Sequence, residues 1–90
     1  MIVERTLTIK NEFGIHARSA AMIVRAIEHC RSNVFLERDG ARVDAKSLLD
    51  ILTLACPKDS QVVVLADGDD AREVVETIAK LVDDKFGEAA

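Results

Sequence analysis

Along the first ten residues apolar and polar positions alternate. Val3, Leu7 and Ile9, with Arg5 in register, interleave with Glu4, Thr6 and Thr8, which predicts a strand of about eight residues with one covered face. The period then lengthens. Ala20, Ala21, Ile23, Val24 and Ile27 recur at helical spacing with Arg25 and Glu28 off the stripe, predicting a helix from Ala17 to Cys30. Between them, Lys10-Asn11-Glu12-Phe13-Gly14 is a loop that delivers His16. Arg31-Ser32-Asn33 breaks the helical pattern, and Val34, Phe35 and Leu36 build a second strand over Asn33 to Arg38. Asp39-Gly40 predicts a tight hairpin, with Ala41 to Asp44 returning.

Ser47-Leu48-Leu49-Asp50 reads as a capping box, serine at the cap and acid three residues on, opening a second helix that Pro57 ends. Leu48, Leu49, Ile51, Leu52 and Leu54 spread around too many sides of it for one sheet to bury, so part of this apolar surface is expected to face water. Gln61 to Ala66 is an uninterrupted apolar strand. Asp67-Gly68-Asp69-Asp70 is a turn that leaves Asp69 or Asp70 to cap a third helix with Val74, Val75, Ile78, Leu81 and Val82 as its buried stripe. Phe86 to Ala90 reads as a fraying tail. The order is β-α-β-β-α-β-α, two layers with the helices on one face of a mainly antiparallel sheet. Pattern alone leaves the strand order open.

Composition narrows what such a domain does. Ninety residues make one small domain whose core leaves no room for a cofactor-sized cavity, which favours surface chemistry. Sixteen acidic residues against twelve basic, spread along the chain for a net charge of −4, argue against nucleic acid or anionic membrane as partner. Three Phe with no Trp or Tyr offer no base-stacking platform. No stretch is long enough to cross a membrane, and Met1 to Arg5 lacks the features of a signal peptide, so a cytoplasmic protein with protein partners is expected. Cys30 and Cys56 have no metal-ligand spacing and read as reduced, small apolar residues. His29, at a helix C-terminus, reads as a surface residue compatible with the helix dipole.

The chemistry concentrates at Gly14-Ile15-His16-Ala17-Arg18-Ser19. His16 is placed as the N-cap of the first helix, where the N–H groups of Ala17, Arg18 and Ser19 lack intrahelical acceptors and make an anion site. The positive helix end favours a neutral imidazole with one ring nitrogen free as a nucleophile. Nδ1 lies nearer the backbone than Nε2. A phosphoryl group on Nδ1 would fall where those amides and the Arg18 guanidinium neutralise it. No Ser/His/Asp set, carboxylate pair or metal cluster can be assembled around it, and no cofactor is required. A nucleophile without companions suits a carrier.

The run Asn11-Glu12-Phe13-Gly14-Ile15-His16-Ala17-Arg18-Ser19-Ala20-Ala21 resembles the active-centre motif of the HPr family, the histidine-containing phosphocarriers of the bacterial phosphoenolpyruvate-dependent phosphotransferase system. Asp44-Ala45-Lys46-Ser47-Leu48-Leu49 resembles the family's second signature, around a regulatory serine. The element order and the closing Asp84-Lys85-Phe86-Gly87-Glu88 also fit, so the resemblance spans residues 1–90 as a single domain. It implies an α+β open-faced sandwich, with a four-stranded antiparallel sheet in order 1-4-2-3 and three helices on one face. It also implies that enzyme I, phosphorylated from phosphoenolpyruvate, passes its phosphoryl group to Nδ1 of His16, which hands it to a histidine of an EIIA-type protein. A monomer is expected.

The resemblance assigns further residues. Leu48, Leu49 and Leu52, with Ala21 and Arg25 on the Arg18 side of the first helix, are expected to dock partners. Ser47 needs no role beyond capping, but in some branches of the family a dedicated serine kinase/phosphorylase modifies this position, and a phosphate there would put negative charge on the docking face. Two features depart from the pattern. Ser19 stands where proline is usual, adding a hydroxyl expected near the phosphate, and Cys56-Pro57-Lys58-Asp59 replaces a glycine-bearing loop, leaving the end of the second helix open. Two other functions remain at this point. One is a regulatory phosphocarrier of a nitrogen-related branch, acting by phosphorylation-dependent protein binding rather than sugar uptake. The other is an autonomous enzyme with His16 as nucleophile, for which the sequence offers no substrate pocket.

Overall fold

Residues 1–89 are described in the computed structural model. The elements are β1 (Ile2–Thr8), α1 (Ala17–Ile27), β2 (Asn33–Arg38), β3 (Ala41–Asp44), α2 (Leu48–Thr53), β4 (Gln61–Asp67) and α3 (Ala71–Asp83), followed by a 3-10 turn at Lys85–Gly87. The last strand in the chain enters the middle of the sheet, which is ordered β1-β4-β2-β3 and antiparallel throughout. Thr8 pairs with Gln61 at one end of β1 and Ile2 with Asp67 at the other, while Phe35 of β2 lies opposite both Leu65 and Asp44.

Side-chain alternation explains why the helices cover one face only. Leu7, Val34, Leu36, Val62, Val64 and Ala66 are buried, and they meet Ala20, Ile23 and Ile27 of α1 and Val74, Val75, Ile78 and Val82 of α3 in a single core. Leu81 is only half-buried at the edge of that stripe. The apolar run of β4 is not covered on both faces. Val63 and Leu65 alternate with its buried residues and remain half-buried on the open face, where the Arg42 guanidinium lies 5.7 Å from the centre of the neighbouring Phe35 ring.

Three element ends differ from the sequence expectation. The first helix closes at Ile27 rather than Cys30. The second is six residues long and stops at Thr53, well before Pro57; Ala55 turns out of it with φ +50°, the left-handed conformation that ends many helices. At the third, Asp70 occupies the N-cap position, yet its carboxylate does not bond its own helix. It accepts instead from the N–H groups of Arg31 (2.9 Å) and Ser32 (3.0 Å) and from the Ser32 hydroxyl (2.5 Å), tying the α1–β2 turn to the start of α3. Those hydrogen bonds, the Ser32 hydroxyl's foremost, hold the Asp70 carboxyl below its ordinary value.

The tail is the largest correction. Phe86 is fully buried and belongs to the core, so the segment from Lys85 to Glu88 is anchored, while Ala90 lies outside the described residues. Lys85 and Phe86 both take φ +54° to bring this about. Each left-handed non-glycine residue costs about 1–2 kcal/mol, and burying a large apolar side chain contributes about 1.5–3 kcal/mol. The segment is therefore held by a narrow margin on these two counts.

The β1–α1 loop rests on the α2–β4 loop. Ile9 exchanges backbone bonds with that loop, its N–H to Ser60 (2.9 Å) and its carbonyl from Asp59 (2.7 Å), and the Ile15 N–H reaches the Cys56 carbonyl at 2.8 Å. Gly14 has φ +66°, and a Cβ there would lie 2.3 Å from the Cys56 carbonyl oxygen and 2.8 Å from Pro57 Cα. Gly14→Ala is accordingly expected to destabilise the domain by about 3 kcal/mol and to lower its Tm by at least about 10 °C in a thermal melt. Ala55→Gly should act oppositely, relieving the left-handed strain for a gain of about 0.5–1 kcal/mol. A scan that showed no rise in Tm, against the expected rise of about 2–8 °C, would count against strain at Ala55.

Candidate functional site

His16 leaves the loop in an extended conformation, φ −126° and ψ −173°, and caps α1; its carbonyl accepts the first helical bond, from Ala20 N–H at 2.8 Å. Residues before it are fixed by a tight turn in which Gly14 N–H bonds Asn11 O (3.1 Å) and Asn11 Nδ2 donates back to Gly14 O (2.7 Å). Ser19 completes the cap. Its hydroxyl accepts from His16 N–H at 2.9 Å and lies 3.3 Å from the Gly14 carbonyl and 3.2 Å from the His16 carbonyl, with the residue fully buried. The Ser19 hydroxyl is thus committed to backbone beneath the histidine, in place of the expected position beside a phosphate, and it does locally what a rigid proline would do by other means.

Above this base the imidazole is part-exposed. The N–H groups of Ala17 and Arg18, in the first turn, have no intrahelical acceptor and no other among the described residues. Phe13 stands beside the histidine with its ring 6.1 Å away, edge-on at 82°, and 74% exposed.

The anchored tail brings a carboxylate onto the other edge of the ring. Glu88 Oε2 lies 3.0 Å from His16 Nε2 and accepts from Arg18 Nη1 at 3.3 Å, while Oε1 accepts from Asn11 Nδ2 at 3.1 Å. Arg18 Nη2 also donates to the Phe86 carbonyl at 2.9 Å. The Glu88 side chain is only 13% exposed. Its carboxyl is held below the ordinary value of 4.5, first by the His16 hydrogen bond and next by Asn11, so it stays ionised around neutrality. Both acceptors of the Asn11 amide face its nitrogen, which fixes the orientation of a buried side chain whose Oδ1 has no partner.

The structure therefore unites His16, Arg18 and the N–H groups of Ala17 and Arg18, turns the Ser19 N–H, also expected to be free, toward the His16 side chain as part of the cap, and adds Asn11, Phe13 and Glu88. Glu88 is 72 positions from His16, beyond the reach of any periodicity; the only sequence signal for it was the resemblance of the closing residues. In this state Arg18 is engaged by the tail instead of standing free at the helix end. Arg25 lines a cleft between α1 and α3 with His29, Cys30, Asp70 and Glu73, and Ala21 is half-buried on α1. The α2 leucines lie on a helix that packs against α1. Leu49 is 75% and Leu48 38% exposed, Leu52 is half-buried, and Ile51 and Leu54 enter the core. Ser47 caps α2 by accepting from Asp50 N–H at 3.3 Å, half of the capping box. Burial pushes the Cys56 thiol up from its ordinary value, in keeping with an inert core residue. Among the described residues no helix is long and apolar enough to cross a membrane, and none of their His, Cys, Asp and Glu side chains form a metal-ligating group.

Residues 3–84 match the family model described as the PTS HPr component phosphorylation site. The chain is 34% identical over 87 residues to the phosphocarrier protein HPr of Cupriavidus necator, covering 97% of this chain and 98% of that protein. It is 33% identical over 84 residues to the HPr-like protein Crh of Bacillus subtilis, covering 93% and 99%. The crystal structure of HPr-C-His from Thermoanaerobacter tengcongensis has the same fold, with a TM-score of 0.93 at 36% identity over 98% of this chain and 99% of that one. Site geometry, fold and sequence agree, and the chain belongs to the HPr family of phosphotransferase-system phosphocarriers.

Proposed function

We propose that this protein accepts a phosphoryl group from enzyme I on Nδ1 of His16 and passes it to EIIA-type proteins in phosphoenolpyruvate-dependent sugar phosphotransfer. The observation that carries this reading is the part-exposed imidazole at the N-terminus of α1, with the unbonded N–H groups of Ala17 and Arg18 in the same turn. On loading from enzyme I, the Nδ1 lone pair attacks phosphorus in line with the donor's P–N bond. That bond breaks, and its electron pair returns to the donor ring. Such a displacement needs positioning and charge neutralisation more than covalent help. The first-turn amides supply fixed positive charge. Arg18 supplies more by exchanging Glu88 for the incoming phosphoryl oxygens, within reach of a long side chain that is half exposed.

The same reading assigns the exposed apolar side chains of the β1–α1 loop and of α2 to docking. Leu48, Leu49 and Phe13 are large, apolar and exposed, and exposed apolar side chains of this kind exclude water when a partner covers them. Leu52, Ala21 and Arg25 extend that surface. Ser47, at the start of α2, is the position where a serine kinase would act, placing charge on this face while the helix end accommodates it. One copy of the chain carries every residue used, so we take the working species to be a monomer in the cytoplasm, where its soluble partners would meet it.

Phosphorus NMR after mixing the protein with enzyme I and phosphoenolpyruvate should show an Nδ1 phosphohistidine that His16→Ala abolishes; an unphosphorylated wild type would overturn the carrier reading. For docking, Leu49→Ser and Ser47→Asp should each weaken enzyme I binding about tenfold in calorimetric titration. Both should leave the Tm within a few degrees, because Leu49 is exposed and aspartate is itself a good N-cap. Wild-type affinity in both variants would remove α2 from the interface.

A further inference from the structure

Glu88 has no part in the transfer as described so far, yet the chain goes to some length to place it. Two successive non-glycine residues, Lys85 and Phe86, are held at φ +54°, and the buried Phe86 ring acts as an anchor two residues before the glutamate. Strain of this kind persists only where the surroundings over-determine it, and it gathers at functional sites. Three side chains from two other segments then converge on one carboxylate: Asn11 on Oε1, and His16 and Arg18 on Oε2. A segment with no task at the site would require none of this.

We propose that Glu88 is a positioning residue for phosphoryl transfer, holding the proton of the His16 ring on Nε2 so that the lone pair is presented at Nδ1. The proposal rests on the carrier reading above and deepens it. An ionised carboxylate can only accept, so the nitrogen facing it at 3.0 Å must be the one that bears hydrogen. Neutral imidazole has one such nitrogen, and the other is thereby left as the nucleophile. When Nδ1 attacks, a P–Nδ1 bond forms, the donor's P–N bond breaks, and the His16 ring acquires positive charge shared by both nitrogens. The Nε2 proton stays where it is. Its hydrogen bond to the Glu88 carboxylate then joins two oppositely charged groups and strengthens as that charge develops, which stabilises the transition state more than the ground state. On delivery to the next protein the P–Nδ1 bond breaks, its electron pair returns to Nδ1, and the ring is again the neutral Nε2–H form. Asn11 and the ring proton continue to hold the carboxylate when Arg18 turns to the phosphoryl group, so the two tasks use different donors.

The test needs one spectrum and one rate. In uniformly 15N-labelled free protein, the Nε2–H proton of His16 should be visible downfield and protected from exchange; Glu88→Ala should lose that signal. With phosphorylated enzyme I as donor, Glu88→Ala should lower kcat for phosphorylation about tenfold with KM changed less than about twofold. Glu88→Gln keeps an acceptor but not the charge, and should recover the proton signal with only part of the rate. A loss of the fold would move KM, Tm and all resonances together, and circular dichroism of each variant checks for it. If the wild type is phosphorylated and Glu88→Ala keeps the same Nε2–H signal or the same kcat, this proposal is overturned while the carrier reading stands. If enzyme I does not phosphorylate the wild type, the carrier reading falls and takes this proposal with it.

Discussion

The carbonyl of Cys56 accepts the N–H of Ile15 at 2.8 Å, and the backbone of Gly14 approaches the same loop so closely that a methyl group would not fit between them. His16 follows two residues after Gly14. With its incoming backbone pinned on the α2–β4 loop and its own N–H and C=O committed to Ser19 and Ala20, the histidine has little freedom in where its ring can go. The sheet order makes that contact possible. Because β4 lies beside β1, the loop entering β4 runs under the loop leaving β1, and Asp59 and Ser60 continue the pairing past the strand ends to Ile9. A topology with β4 at an edge beside β3 would leave the His16 loop without a floor.

This dependence also explains where strain is tolerated. Ala55 and Asp59 both have positive φ, at +50° and +72°, in the loop that supports the site. Ala55 turns the chain out of α2, and Asp59 directs its N–H to the Ile9 carbonyl; glycine would do either with less strain. The conformation is imposed by tertiary contacts, among them the bond from Arg38 to the Ala55 carbonyl, and local propensity gives way to them.

What the sequence made legible follows from the range of the interactions involved. Strand and helix identities rest on periodicity within a dozen residues, and all seven predicted elements are present, as is the N-cap position of His16. The exposure of part of the α2 apolar surface was readable for the same reason, since Leu48, Leu49, Ile51 and Leu52 take four of the helix's six positions and one sheet cannot bury them all. Non-local features were not readable from periodicity, and the sheet order 1-4-2-3 came from the family resemblance alone. Asp70 looked like a helix cap and acts across 38 positions on Ser32. The Ser19 hydroxyl looked free to meet a phosphate because the helical wheel says nothing of Gly14 and His16 carbonyls folded beneath it. The tail looked frayed because Phe86 has no apolar periodicity around it to signal burial.

Closure of that tail and the chemistry at His16 are linked by the size of the competing terms. The cost of two left-handed residues, about 2–4 kcal/mol together, is comparable to what burial of one Phe returns. Hydrogen bonds to Arg18, Asn11 and His16 therefore decide whether Glu88 stays docked. Arg18 makes two of them, one to Glu88 and one to the Phe86 carbonyl. Any anion that draws Arg18 away from the tail weakens the closed form, and any tail that closes tightly competes for Arg18. By linkage, the two effects must be equal in free energy. The half-exposed Arg18, which holds both the carboxylate and the backbone of the tail, is thus the point at which a bound anion and the docking of Glu88 compete.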